Sequence, residues 1–260
     1  TDEVRLVPFL AEGHSITRRQ DARPAFVRDG TVYAFWRRTL RESGRPGINR
    51  TYWNLRGEAP RPLRLRTKPM YNEEFEMDSA GTRAGPGFGG FSILMPPGRY
   101  TVRLTVNGIP YTQPLTVLKD PNNMATLAEI HDQVRTLMAI QRDHAAAAAM
   151  VNTIEDIRSQ LVALRPPLGA DSTAADSLEQ QLVSVEQRLI DLRMTGRGQD
   201  GVRWPVKLGG QLDYLASGIA ASDFGPTTQA RQVAAVLAKE TRDVHAALTA
   251  LLAEIPKYNE

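Results

Sequence analysis

The chain contains no cysteine. This absence excludes disulfides, thiolate nucleophiles and zinc sites built on cysteine. The sequence also has neither an H-E-x-x-H segment nor a G-x-S-x-G segment, so the signatures of zinc proteases and serine hydrolases are missing. The histidines are spread along the chain without metal-ligand spacing, and we expect no metal site and no catalytic constellation. They are His14, His131, His144 and His245.

Long apolar runs are absent as well. No run approaches the roughly 20 residues that a membrane-spanning helix needs, and no charged and then apolar leader opens the chain. The chain begins with Thr1, and a strand-like segment, VRLVPF, follows almost at once. We therefore expect this chain to be a piece of a longer protein, from which any signal sequence would be missing.

Charge is present in ordinary amount but is unevenly distributed. Charged residues make up 23% of the chain and apolar residues 42%, which are values typical of a globular protein. Residues 1–119 carry 19 Lys and Arg against 11 Asp and Glu, a net +8, whereas residues 120–260 carry 13 against 18, a net −5. Opposite charge could help two modules dock or attract an acidic partner. A solvated arginine-rich surface is the simpler interpretation.

The pattern changes abruptly at Asp120-Pro121. The preceding segment alternates like β-strands, whereas residues 122–165 contain neither glycine nor proline. This change predicts an α+β protein of two modules. We expect an antiparallel, immunoglobulin-like or fibronectin-like β-sandwich over residues 1–119 and an antiparallel helical bundle with a long first helix over residues 120–260.

The β half contains one clear hairpin. Apolar and polar residues alternate over residues 99–106 and again over 109–118, and Asn107-Gly108 between them is a strong hairpin signal. Pro110 and Pro114 have no N–H to donate, so the second strand should lie at a sheet edge or be interrupted. Further strands are predicted over residues 31–38 and 49–56.

The glycine-rich segment GTRAGPGFGGF contains a formal G-x-G-x-x-G match at residues 85–90. A dinucleotide site requires a strand before this motif and a helix after it. Here Pro86 interrupts the motif, and the residues that follow, 91–94, resemble a strand. We expect no cofactor and interpret the segment as a mobile loop.

Two further patterns allow functional readings. Acidic residues at 73, 74, 76 and 78 could bind calcium or act as a glycosidase carboxylate pair, but their spacing fits no calcium loop and a solvated face is more common. Basic and aromatic residues alternate at residues 36–38 and 52–56, as in some nucleic-acid sites. Because a strand tryptophan more often belongs to a core, we expect no nucleic-acid partner.

The helical half begins with a predicted N-cap at Asp120 and Pro121 in the first turn. Apolar residues then recur three and four positions apart, which predicts one long helix or two, ending at Pro166-Pro167. Further helices are expected over residues 171–194, 206–222 and 227–255. The stripe of the first helix comprises Leu127, Ile130, Val134, Leu137, Ala148, Val151, Ile154, Leu161 and Leu164.

Three segments together resemble one family. They are GINRTYWNLRGE (residues 47–58), PPGRYTVRLTVNGIPYTQPLTVLKDP (96–121) and KLGGQLDYLASGIAASDFGPTTQA (207–230). They are similar to the C-terminal region of secreted bacterial proteins with BNR/Asp-box, sortilin-like β-propellers, which are labelled glycosyl hydrolases or sialidase-like proteins. In that family a propeller precedes a β-sandwich and a helical region.

The resemblance implies a secreted or periplasmic accessory region without catalytic residues of its own, packing on an upstream propeller or presenting a partner surface. This chain contains no Asp-box, so no catalytic residue is carried over. A carbohydrate-binding or adhesion module is the alternative, with Trp53, Tyr71 and Trp204 as possible ligand or partner residues. A glycoside hydrolase acting through the carboxylates of residues 73–78 is the third hypothesis.

Overall fold

A computed structural model describes most of the chain after residue 49 and four short strands before it. The described backbone covers residues 2–8, 26–28, 31–33, 38–42, 50–60, 63–85, 88–107, 109–168, 173–196 and 199–258. Side chains are described within these ranges from Arg50 onward, except at residues 165–168, 257 and 258.

The chain forms two compact units that are not consecutive in sequence. The first unit comprises Thr1–Ala59 and Ser92–Val134, and the second comprises Pro60–Phe91 and Arg135–Glu260. Residues 60–91, which the sequence pattern places in the β half, thus group with most of the helical residues.

The first unit contains a four-stranded antiparallel sheet with the order β4-β1-β7-β8. These strands are β1 (Asp2–Pro8), β4 (Arg38–Glu42), β7 (Gly98–Val106) and β8 (Ile109–Val117). The predicted hairpin pairs β7 with β8, and Asn107 has the positive φ of +49° that its turn requires. Strand β8 lies at the edge of this sheet, as Pro110 and Pro114 predicted.

The predicted immunoglobulin-like sandwich is wrong. The chain is mostly helical, and beside the four-stranded sheet the described residues hold only two small two-stranded ladders. One ladder joins β2 (Phe26–Arg28) to β3 (Thr31–Tyr33), and the other joins β5 (Arg64–Leu65) to β6 (Arg83–Ala84). Strands of two or three residues are too short to form the second layer of a sandwich.

Two of the strands predicted for the sandwich are not continuous strands in the described structure. The pattern over residues 31–38 is divided between β3 and β4, and residues 34–37 lie outside the described residues. In the described part of residues 49–56 the chain turns, because Asn54 Oδ1 accepts the N–H of Arg56 at 3.1 Å and Leu55 has a φ of +58°. Trp53 Nε1 donates to the carbonyl of Arg56 at 2.9 Å. Local side-chain hydrogen bonds override the alternating pattern here.

Helix α1 (Leu127–Leu168) is a single element of 42 residues, about 63 Å long. It thus settles the choice between one helix and two, and its last residues include Pro166-Pro167, where the sequence predicts a stop. Most of the predicted apolar stripe is buried, but Leu127 and Leu164 are 49% and 50% exposed. Its first turns belong to the first unit and the remainder to the second.

The predicted start of α1 at Asp120 is also wrong. Asp120 instead forms a short turn, in which its Oδ1 accepts the N–H of Asn122 at 2.8 Å. The cap is Thr126, whose Oγ1 accepts the N–H of Glu129 at 3.2 Å, while Glu129 Oε2 accepts the N–H of Thr126 at 2.8 Å. This reciprocal pair is a capping box.

The described residues of the second unit hold the β5–β6 ladder, the rest of α1 and four further helices: α2 (Thr173–Leu189), α3 (Asp200–Arg203), α4 (Leu208–Ile219) and α5 (Thr228–Glu254). A 3-10 turn follows at Ile255–Tyr258. Helices α2 and α4 are shorter than predicted, whereas α5 begins close to the predicted residue 227. Thr227 is its cap, since Thr227 Oγ1 accepts the N–H of Ala230 at 3.1 Å. No helix in the described part of the chain combines the length and apolarity needed to cross a membrane.

Candidate functional site

The second unit carries an open groove of about 1110 Å³ formed by α4, α5 and the segment that connects them. Large apolar side chains remain accessible around it: Tyr214 is 83% exposed, Phe224 52% and Val233 46%. Exposed apolar side chains that gather at a groove are typical of a binding surface. The lining residues are Gly89, Val206, Gly210, Gln211, Asp213, Tyr214, Leu215, Ser217, Gly218, Ile219, Ser222, Phe224, Gly225, Pro226, Thr227, Ala230, Val233 and Leu237.

Two glycines of α4 have opposite roles in this region. A Cβ atom on Gly209 would stand 1.9 Å from the ring of Phe88, so this glycine admits the buried phenyl ring against the helix backbone. A Cβ atom on Gly218 would meet nothing within 4 Å, so this lining position is open. Helix α4 therefore contacts Phe88 at Gly209 and is open at Gly218.

Asp213 is the charged residue among those that line the groove. Its Oδ2 accepts the N–H of Gly89 at 2.6 Å and that of Gly90 at 3.4 Å. A carboxylate that accepts consecutive backbone N–H groups holds their segment in one conformation. The described end of the glycine-rich loop is thus fixed to α4, whereas the sequence pattern was interpreted as a mobile loop. Pro86 and Gly87 lie outside the described residues.

His144 on α1 lies beside Asp213. Its Nε2 is 3.1 Å from Oδ1 of Asp213, but both ring nitrogens and this oxygen are buried without an aligned hydrogen bond. The imidazole and the carboxylate therefore lie close together without forming a hydrogen bond. The rings of Phe88 and Phe91 surround the imidazole, with centroids 4.4 Å and 6.0 Å away. His144 is thus a packed core residue beside the groove.

A second notable cluster is a buried group of charges between α1 and α2. Arg158 Nη1 donates to Glu155 Oε1 at 2.8 Å and to Glu186 Oε2 at 2.7 Å, and both glutamates are fully buried. Its Nε donates to Glu179 at 2.9 Å. Burial and the nearby charge of Glu155 raise the pKa of Glu186 well above its ordinary value. Such a group costs free energy unless its charges are matched.

The aromatic residues proposed from sequence lie in different places. Tyr71 is 87% exposed, and the half-buried Trp204 packs under the guanidinium of Arg193 at 3.9 Å from the ring centroid. Arg193 pairs with Asp191, whose hydrogen bond is the main reason that the pKa of Arg193 is raised, and the charge of Tyr71 adds to this shift. Trp53 belongs to the first unit, half-buried edge-on to Tyr100 at 5.4 Å between centroids. Trp53 thus belongs to a different unit from Tyr71 and Trp204.

The acidic residues 73–78 are not assembled around a common centre. Asp78 accepts from Ala80 N, Thr82 N and Thr82 Oγ1, and these hydrogen bonds with Thr82 are the main reason that its pKa is lowered. Glu73, Glu74 and Glu76 are exposed. Within the described residues no three His, Asp or Glu side chains are grouped as metal ligands.

Sequence reasoning missed the residues that organise both sites. Glu186 occupies a buried position on α2 among Leu178, Leu182 and Leu189, so a charged residue within an apolar stripe was the available signal. Glu155 likewise follows the fully buried Ile154. Asp213 had no comparable signal, because its partners Gly89 and Gly90 are more than 120 residues away in the sequence.

Comparisons with known proteins add no relative. No protein-family model, no curated protein and no solved structure matches this chain.

Proposed function

We propose that this chain is a non-catalytic interaction region of an exported bacterial protein, and that its groove binds an apolar segment of an upstream β-propeller. The observation that carries the proposal is the open apolar groove between α4 and α5. The propeller and the exported location are supported by the resemblance of residues 47–58, 96–121 and 207–230 to propeller proteins. The third of these segments contains all of α4 and most of the groove lining.

The chemistry of the groove favours binding over catalysis. Asp213 is the charged side chain among the described lining residues, and its Oδ2 is already occupied by the N–H groups of Gly89 and Gly90. Its Oδ1 is buried beside His144. A carboxylate held in this way orders the protein rather than meeting a substrate. The remaining lining is dominated by apolar side chains and glycine, which suits an apolar partner.

Site-specific photo-crosslinking tests this proposal. A photoreactive amino acid would replace Val233, which lines the groove, in the complete protein that includes the upstream region. The matched control replaces Ala246, an exposed residue of the same helix that is not among the lining residues. We expect crosslinks from position 233 to propeller peptides and none from position 246. Equal crosslinking at both positions, or none at 233, would contradict the proposal.

The non-catalytic part of the proposal is tested separately. The isolated chain would be incubated with a panel of fluorogenic glycosides, and we expect no turnover. Reproducible turnover that survives purification would overturn the non-catalytic assignment. The glycoside hydrolase hypothesis would then be tested by the variants Glu73→Gln, Glu74→Gln, Glu76→Gln and Asp78→Asn. Asp78 is a poor general acid, because its hydrogen bonds lower its pKa.

Carbohydrate binding is a second candidate function, favoured by the surface that contains Tyr71, Arg193 and Trp204. The exposed ring of Tyr71 can stack on a sugar, and the guanidinium of Arg193, which covers the half-buried Trp204, can donate hydrogen bonds. A glycan array followed by titration would test it with Tyr71→Ala and Trp204→Ala, and with Tyr111→Ala in the first unit as the control. Binding that both site variants abolish and the control retains would support this function. Binding unaffected by either site variant would exclude this surface.

A further inference from the structure

The buried cluster contains more carboxylates than its cations can neutralise. Glu155, Glu179 and Glu186 face the guanidinium of Arg158, and the nearby Arg83 is also buried. Three ionised glutamates against two arginines would leave one uncompensated negative charge in a site where Glu155 and Glu186 are fully buried and the side chain of Glu179 is 12% exposed. One bound proton removes this imbalance, because two arginines then face two carboxylates.

The hydrogen-bond pattern indicates which oxygen holds the proton. Both oxygens of Glu155 are occupied by donors: Oε1 by Thr67 Oγ1 and Arg158, and Oε2 by the backbone N–H groups of Arg66 and Thr67. In contrast, Oε1 of Glu186 and Oε2 of Glu179 are both buried without a donor. Glu186 is the fully buried residue of the two, because the side chain of Glu179 is 12% exposed. An ionised oxygen in this position is costly, whereas a protonated one becomes a donor. Arg158 Nη1 joins the two carboxylates, because it donates to Glu155 Oε1 at 2.8 Å and to Glu186 Oε2 at 2.7 Å.

Glu155 connects this pair to the segment at residues 63–67. Glu155 binds this segment at Arg66 and Thr67, and its neighbours on α1 bind the same segment. Asn152 Oδ1 accepts the N–H of Arg64 at 3.3 Å, and Asp156 Oδ1 pairs with Arg66 Nε at 2.8 Å. Glu155 makes the buried contacts in this group, because Thr67 is 9% exposed and Glu155 is fully buried.

We propose that Glu155 and Glu186 share one proton, and that this proton keeps residues 63–67 attached to α1, so that the segment is released as the solution becomes alkaline. Removal of the proton places two carboxylates against each other without water. Arg158 on α1 and Arg83 on β6 attract both carboxylates, whereas Glu179 on α2 adds further negative charge. Separation of Glu155 from Glu186 relieves the repulsion and disturbs the bonds to Arg66 and Thr67.

The first test compares the pH dependence of folding in the wild type and in Glu186→Gln. The raised pKa of Glu186 means that the folded state holds a proton that the unfolded state releases above the ordinary value of 4.5. Between the unfolded and folded pKa values the folding constant of the wild type should fall about tenfold per pH unit relative to Glu186→Gln. Glu76→Gln changes an exposed glutamate of the same unit outside the cluster, so it is the control and should keep the wild-type dependence. A constant ratio between wild type and Glu186→Gln would overturn the proposal.

A second measurement does not require the variant to fold. Infrared spectroscopy of the wild type should detect the carbonyl band of a buried protonated carboxylic acid at neutral pH, and the band should disappear as the pH rises. Over the same pH range, hydrogen exchange corrected for its intrinsic rate should show loss of protection at the N–H of Arg66 and Thr67, while Leu248 on α5 stays protected. Absence of the band at neutral pH, or loss of protection throughout the unit at once, would overturn the proposal.

Discussion

The ring of Phe88 lies directly against the backbone of Gly209, so that a Cβ atom on this glycine would stand 1.9 Å from Cε2 of the ring. Phe88 is only 7% exposed and has little space to withdraw. We expect Gly209→Ala to lower the free energy of unfolding by about 1–3 kcal/mol, because the ring must shift. Urea unfolding would measure this change.

Gly218 on the same helix provides a matched control, for which we expect a change of opposite sign in the free energy of unfolding. Its added Cβ would meet nothing within 4 Å. Gly218→Ala should therefore raise the free energy of unfolding by about 0.4–1 kcal/mol through the reduced freedom of the unfolded chain. Destabilisation by both substitutions would show that glycine is required for the backbone of α4 rather than for contact with Phe88.

The attachment of the glycine-rich loop to Asp213 predicts a second stability effect. Asp213→Asn should cost about 1–3 kcal/mol, because a charged acceptor of two N–H groups is replaced by a neutral amide. Hydrogen exchange at Gly89 should accelerate in parallel. The adjacent Tyr214 is 83% exposed, so Tyr214→Ser should change stability by less than about 0.5 kcal/mol. Equal losses in both variants would indicate a general weakening of α4.

The buried Tyr100 should make the stability of the fold depend on pH in alkaline solution. Burial raises its pKa to about 12, and its hydroxyl donates to the carbonyl of Pro96. The folded state thus keeps a proton that the unfolded state loses near pH 10. This contribution is complete below pH 10 and is lost as the pH rises to about 12. Ultraviolet absorbance of tyrosinate should show one late titration that Tyr100→Phe removes.

The same substitution should affect stability at neutral pH. Tyr100→Phe should cost about 1 kcal/mol, because it leaves the Pro96 carbonyl without its donor. Tyr111 is 56% exposed on the edge strand, so Tyr111→Phe is the control and should have little effect. A late titration that persists in Tyr100→Phe would assign it to another tyrosine.

The capping box of α1 should make the stability of the fold depend on pH in acid. The pKa of Glu129 is lowered by its hydrogen bonds to the N–H and hydroxyl of Thr126. Its stabilising effect is therefore present above the ordinary value of 4.5 and is lost as the pH falls below it. The denaturant midpoint of the wild type should exceed that of Glu129→Gln at neutral pH, and the two should converge in acid. A constant difference would indicate that the side-chain charge is unimportant.

Local patterns in the sequence predicted some elements correctly. Asn107 and the alternating strands beside it led to the β7–β8 hairpin, and Thr227 led to the start of α5. The start of α1 was placed at Asp120 because a residue that suits a helix cap also suits a short turn. The choice was made by the reciprocal bonds of Thr126 and Glu129, and the same S/T-x-x-E pattern was present in the sequence.

By itself the sequence determined the hairpin and the existence of long amphipathic helices, because these depend on neighbouring residues and on their period. Only the tertiary structure decided the absence of a sandwich, the attachment of Gly89 to Asp213 and the pairing of Glu155 with Glu186. These features depend on residues that are distant in the sequence, and a periodic pattern does not indicate which distant partner a residue meets. The free energy of a buried carboxylate is set by that partner, so its role emerges only from the folded chain.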